Sequence, residues 1–433
     1  MTPFPEKRAA LLLPLLVALG LLAIACGGVS NPDGWARPVV ADGTLYVSLD
    51  GGELTAIALE AESNAGCNNK TDDDDDGRVN EGCPQVDDLA EFGDQCENDT
   101  SDDAPAPGSA EEDDAVNDGC PARFERWTFA KNDEFACGNA DKKRWDLRAI
   151  YGTPVIDGDR VYLGAYDGNV YAVSRSDGSC LWAFEGSDGP IIGGLATADG
   201  VLWAPSDDGQ LYGLDPEAGV LKKGPFDAGD AIWATPLIVD DAIYFATVSG
   251  KMWALTVPDL HRKWTFETSA GLIMDPTIAG DVVVVGGIGK KLFGLDAETG
   301  ETVWGPSSGG GWFWGHALLD KDILYVPNLD HKIYAIDANT GERVWDKPLE
   351  GEEAIRSSPT LVDGVLTVVD RKGNVFFVDP ATGLRQRDPI LLDAKVLADQ
   401  IEFEGKVLVL TQGGGLHELD PAEGTLTRLE FDR

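Results

Sequence analysis

Pro154-Val-Ile-Asp-Gly-Asp-Arg-Val-Tyr-Leu-Gly-Ala-Tyr-Asp-Gly-Asn-Val-Tyr-Ala-Val-Ser-Arg-Ser-Asp-Gly-Ser-Cys-Leu-Trp-Ala-Phe184 holds four short β-rich runs. Asp157-Gly158, Asp167-Gly168 and Asp177-Gly178 separate them. Asp-Gly is a hairpin signal, because Gly accepts the positive φ that tight turns demand. Working outward, the pattern returns every 40–42 residues. Pro154, Pro236, Pro276 and Pro359 open such units, and Leu195, Ala317 and Gln400 hold the same slot in three more. Eight positions after the prolines come Tyr162, Tyr244, Val284 and Thr367. Pro38, with Tyr46 eight residues on, starts one further unit that carries about 75 extra residues. Four short antiparallel strands in a repeat of this length describe a propeller blade. The expected fold is all-β: an eight-bladed β-propeller of four-stranded antiparallel blades spanning 35–433, with an acidic, Cys-rich insertion at 60–122 in the first blade. Thr425 to Phe431 supplies the last blade's own outer strand.

The chain has 433 residues, 75 acidic against 34 basic, for a net charge of −41. A surface this negative repels polyanions, so nucleic acid and polybasic attachment to anionic lipid are excluded. Lys7 and Arg8, the apolar run Ala9 to Ile24 and the small residues before Cys26 read as a secretory signal over 1–25. A Cys in that place resembles the bacterial lipobox. The resemblance implies lipidation at Cys26, a tether over 26–34 and an extracytoplasmic, membrane-anchored location.

Leu295-Asp-Ala-Glu-Thr-Gly-Glu-Thr-Val-Trp304 and Ile336-Asp-Ala-Asn-Thr-Gly-Glu-Arg-Val-Trp345 resemble the signature of the pyrroloquinoline-quinone-type propeller repeat. Val173–Trp182 is a weaker copy, and Trp264 and Trp127 hold the same final position. In that family the Trp packs between neighbouring blades. Copies ending in Lys223, Arg387 and Arg428 lack it, so looser junctions are expected there. The family has two functional branches: quinone-dependent dehydrogenases, and non-enzymatic lipoproteins resembling the propeller subunit of the outer-membrane β-barrel assembly machinery. The dehydrogenases place the quinone against a disulfide of adjacent cysteines, with Glu, Asn and Asp on calcium. This chain has no adjacent Cys pair and no Cys after position 180, so the resemblance favours the non-catalytic branch without bound quinone.

The insertion carries 21 acidic residues against Lys70 and Arg78. It is duplicated: Cys67 to Cys83 aligns with Cys96 to Cys120. Asp72, Asp74, Asp76 and Gly77 form D-x-D-x-D-G, with Asn80 at the ninth position and Glu81 as a substitute ligand where Cys83 stands in place of a bidentate Glu. Alternating oxygen ligands with Gly at the sixth place suit a Ca²⁺ loop. The alternative is a solvated acidic loop. Apart from Cys26, six cysteines allow 15 pairings. The duplication favours Cys67 with Cys83 and Cys96 with Cys120, leaving Cys137 with Cys180.

Ring geometry also suggests a site. The residues before each proline slot, and those two positions earlier, face a common axis at the mouth of the channel. They include Trp35, Arg37, Tyr151, Trp233, Asp275, Trp314, His316, Arg356 and Asp399. Aromatics and a few convergent charges suit a ligand funnel, and an aromatic plug is the alternative. Asp275 and His316, on adjacent blades, are expected to form an ion pair rather than an acid–base couple, because no nucleophile accompanies them. The sequence therefore points to a lipid-anchored scaffold that docks a protein or peptide partner of the cell envelope. The competing reading is a quinone- and calcium-dependent dehydrogenase of alcohols or sugars.

Overall fold

The computed structural model describes residues 36–48, 52–59, 125–130, 134–138, 143–145 and 147–429. The signal, Cys26, the tether, Trp35 and the insertion with Asp72, Asp74, Asp76, Asn80, Glu81, Cys67, Cys83, Cys96 and Cys120 lie outside them. Among the described residues there is no helix, and eight four-stranded antiparallel sheets follow one another along the chain. Each is a meander whose strands pair in sequence order. Blade 4, for example, is Leu237–Val239, Ala242–Ala246, Lys251–Thr256 and Arg262–Glu267. The eight-bladed propeller is the fold of this chain.

Registration explains the repeat. Tyr244 pairs with Ala254, which pairs with Trp264, so one row crosses the blade. The small central residue lets the Tyr and Trp rings meet at 5.8 Å. Tyr46, Ala56 and Trp127 make the same row in blade 1, and Tyr162, Ala172 and Trp182 in blade 2. Each outer Trp then reaches the next blade. The indole N–H of Trp182 donates to the Pro216 carbonyl at 3.0 Å, that of Trp304 to Ala338 at 2.7 Å and that of Trp345 to Pro380 at 2.9 Å. Each ring also lies on a glycine of that blade's third turn. A Cβ at Gly178 would stand 2.7 Å from the Trp127 ring, and one at Gly383 2.6 Å from Trp345. Both glycines have positive φ, so the turn Gly of the repeat answers two demands at once.

Where the Trp is absent the junction is rebuilt, which sharpens the expectation of looseness. In blade 3 the row reads Trp203, Gly213, Lys223. The large ring has moved to the inner position, and Leu260, with φ 56°, replaces the glycine of the next blade. Lys223 instead pairs with Asp259 at 2.8 Å on the surface. At the next such junction Arg387 takes over the donor role, giving its N–H to the Ala422 carbonyl at 2.9 Å.

The core is divided among the blade junctions. Each of eight buried apolar clusters joins two neighbouring blades. Among the described residues the ring closes by packing: Leu45, Val47 and Ile57 of blade 1 meet Leu408, Leu410 and Leu429 of blade 8. A feature without a sequence forecast is the hairpin Glu134–Phe135 with Lys143–Arg144 between blades 1 and 2. Phe135 stacks on Trp145 at 5.4 Å, and Trp145 meets Tyr171 edge-on at 5.4 Å. This hairpin roofs the junction.

Candidate functional site

The innermost strands begin at one end of the channel, and the ring brings their leading residues together. Arg37, Thr153, Thr235, Asp275, His316 and Asp399 form a polar collar that lines both an outer vestibule and the channel beneath it. Tyr151, Trp233, Trp314 and Arg356 wall the vestibule, with Ile192, Ile273 and Leu397 between them. Below the collar the lining turns apolar, at Val155, Leu195 and Leu237. All the described funnel residues therefore converge on one cavity; Trp35 lies outside the description.

Backbone geometry sets the collar. Asp275 Oδ1 accepts the Thr235 N–H at 2.7 Å, and Asp399 Oδ1 accepts the Ser358 N–H at 2.7 Å. Thr235 Oγ1 does the same for Gly194 N–H at 3.0 Å. A side chain of one blade thus caps the amide at the start of its neighbour, which fixes the collar residues relative to each other. The two aspartates differ in their second oxygen. Asp399 Oδ2 accepts the Ser358 hydroxyl at 2.8 Å. Asp275 Oδ2 faces the channel, with His316 Nδ1 at 4.0 Å. That distance is at the limit of an ion pair and beyond hydrogen bonding.

Burial dominates the electrostatics. It pushes the Asp275 carboxyl up to about 7; the Asp399 charge adds to this, and hydrogen bonds from the Thr235 amide and hydroxyl, with Arg37, oppose it. Burial, helped by Arg37, holds the His316 imidazole below its usual range. Burial therefore disfavours both charges of the expected ion pair. No serine or cysteine nucleophile joins them in the lining. Among the described residues, no three His, Cys, Asp or Glu side chains gather as metal ligands.

The vestibule wall is held by partners that sequence reasoning missed. The Trp233 N–H donates to Asp207 Oδ1 at 2.5 Å, an acceptor 26 residues away in a turn of the preceding blade. The Trp233 and Trp314 rings are 6.5 Å apart, and the Arg356 guanidinium lies 4.7 Å from the Trp314 ring centre. Cation–π contact of this kind holds a charged side chain against an aromatic face. Tyr151 meets Tyr166 edge-on at 5.6 Å. Away from the mouth, Cys137 and Cys180 form a disulfide, and the Gly138 N–H donates to the Cys180 carbonyl at 2.9 Å. Together these tie the roofing hairpin to the outer strand of blade 2.

A family model described as "Outer membrane protein assembly factor BamB" matches residues 121–223, 167–309 and 292–428. The outer membrane protein assembly factor BamB of Burkholderia pseudomallei is 30% identical over 166 residues, 35% of this chain and 41% of that protein. The protein described as "Putative dehydrogenase XoxF" in Paracoccus denitrificans is 25% identical over 202 residues, 41% of this chain and 33% of its own length. The match thus spans less than half of either relative. The crystal structure of BamB from Moraxella catarrhalis superposes with a TM-score of 0.55, covering 67% of this chain and 84% of that one at 17% identity, a likeness of fold.

Proposed function

Because the chain belongs to the family of the outer membrane protein assembly factor BamB, we propose that it is a non-catalytic, extracytoplasmic scaffold that docks a partner polypeptide of the cell envelope at the propeller mouth. The observation that carries this reading is the convergence of Tyr151, Trp233, Trp314 and Arg356 around one polar collar. Trp, Tyr and Arg anchor protein interfaces because they present large, rigid contact area together with a polar handle. The described chain begins at Ala36, next to collar residue Arg37. A lipid on Cys26 would then hold the mouth within about 35 Å of its membrane, since ten extended residues span no more. Calcium held by Asp72, Asp74, Asp76, Asn80 and Glu81 would belong to the insertion, as a separate module.

The test is capture of envelope proteins from native membranes by the full mature chain. Trp314→Ala with Arg356→Ala should lose a partner that Leu384→Ser, on the exposed rim, retains. Equal capture by both would reject the mouth as the docking surface. Calorimetry with Ca²⁺ addresses the insertion separately, and unchanged heats in an Asp74→Ala, Asp76→Ala variant would reject the calcium loop. A second reading, a quinone- and calcium-dependent dehydrogenase, is supported by the similarity to the XoxF protein. Against it, the collar offers no cysteine and sets Arg37 among its carboxylates. Dye reduction by alcohol or sugar after addition of pyrroloquinoline quinone and Ca²⁺ would establish it.

A further inference from the structure

The two collar aspartates perform the same backbone duty, yet their second oxygens are placed differently. Asp399 uses both oxygens, on the amide and the hydroxyl of Ser358. Asp275 uses Oδ1 on Thr235 N–H and turns Oδ2 to the channel. The charged and titratable groups around it come from every side of the ring. They are Arg37 on blade 1, His316 on blade 6, Arg356 on blade 7 and Asp399 on blade 8. His316 stands 4.0 Å away with its protonation disfavoured by burial. Arg37 favours the charged carboxylate against the larger effect of burial, and Arg356 lies over the face of Trp314. The result is a partly buried carboxylate, held by Thr235 and open on its channel side, at the floor of a vestibule walled by two indoles.

We propose that the mouth receives one cationic side chain, a lysine or arginine of the docking polypeptide, with its stem along Trp233 and Trp314 and its charged head at Asp275. This rests on the mouth being the docking surface. Three features support it. Oδ2, on the channel side of a partly buried carboxylate, offers a charge-assisted acceptor. Trp314 already holds a guanidinium by its face, so the wall suits cations. The chain's net charge of −41 steers basic partners toward it and repels acidic ones. Filling the site brings a positive charge to Asp275, which opposes its burial and draws the proton off the carboxyl. Binding therefore releases a proton near neutral pH and strengthens as pH rises.

The experiment is ¹⁹F NMR of the full mature chain labelled with 5-fluorotryptophan, its Trp233 and Trp314 signals assigned with Trp→Phe variants. The probes are Nα-acetyl-lysine methylamide and its uncharged norleucine isostere. The lysine probe should shift the Trp233 and Trp314 signals saturably, about tenfold more tightly than norleucine, as cation and carboxylate recognition require. The wild-type chain should lose that preference between about pH 8 and about pH 5.5 as Asp275 takes up its proton. Asp275→Asn, which keeps the acceptor for Thr235 N–H, should abolish both the preference and its pH dependence. Equal affinity for the two probes, no saturable shift, or an Asp275→Asn variant that still prefers lysine would overturn the proposal. If the isostere binds equally while Trp314→Ala still loses the partner, the docking surface stands and the cationic occupant falls. If capture survives Trp314→Ala, the docking surface itself falls.

Discussion

Trp304 and Trp314 are ten residues apart and do opposite work. Trp304 is buried, its N–H on the Ala338 carbonyl and its ring pressed on Gly341 of the next blade. Trp314 stands half-buried in the vestibule, with Arg356 on its face and Trp233 beside it. The perimeter girdle recurs at five of the eight junctions, which pose the same packing problem. The mouth varies from blade to blade because one cavity, seen from eight sides, has to be asymmetric to recognise anything. Repetition marks architecture here, and departure from it marks the candidate site.

The largest expected break in this comparison is Trp304→Ala. It should cost about 3–5 kcal/mol in denaturant unfolding, the scale for deleting a buried Trp, while Trp314→Ala shifts stability by less than about 1 kcal/mol. The Asp275→Asn variant comes next. A carboxyl raised in the folded state keeps its proton longer than in the unfolded chain, so the wild type loses stability as pH rises from about 4 to about 7. The Asn variant lacks that loss and should be the more stable by up to about 4 kcal/mol at pH 8, less where channel water reaches the carboxylate, with no difference near pH 4. Replacing Cys137 and Cys180 together by Ser should cost about 2–4 kcal/mol and release the roofing hairpin, seen as faster amide exchange at Phe135 and Trp145. The smallest effect tests the rebuilt junction. Lys223→Trp alone should destabilise, because Trp203 already fills the space. Combined with Trp203→Tyr and Leu260→Gly it should recover to within about 1 kcal/mol of the wild type, as a volume-conserving exchange does. A stabilising single Lys223→Trp would contradict the relocated ring.

Much of this could be read in the chain because a propeller states its rule eight times. The proline slots gave blade count and phase. Phase alone set Arg37, Tyr151, Trp233, Asp275, Trp314, His316, Arg356 and Asp399 around one axis, where the structure brings them together. What could not be read depends on partners far apart in sequence. Lys223 looks like a lost anchor until the row Trp203, Gly213, Lys223 is aligned by strand pairing. Nothing local couples Asp207 to Trp233, nor Phe135 to Trp145 across a short hairpin. The lowered basicity of His316 follows from burial at the collar, a property of the assembled ring that residue types do not carry.

The central claim, that a partner docks at the mouth and the girdle only holds the ring, is tested most directly by site-specific photo-crosslinking in living cells. A photoreactive phenylalanine replaces Trp314 in one strain and the exposed perimeter residue Val344 in another. The account predicts a discrete adduct with an envelope protein from position 314 and none from 344. An adduct from 344 with none from 314 would contradict it.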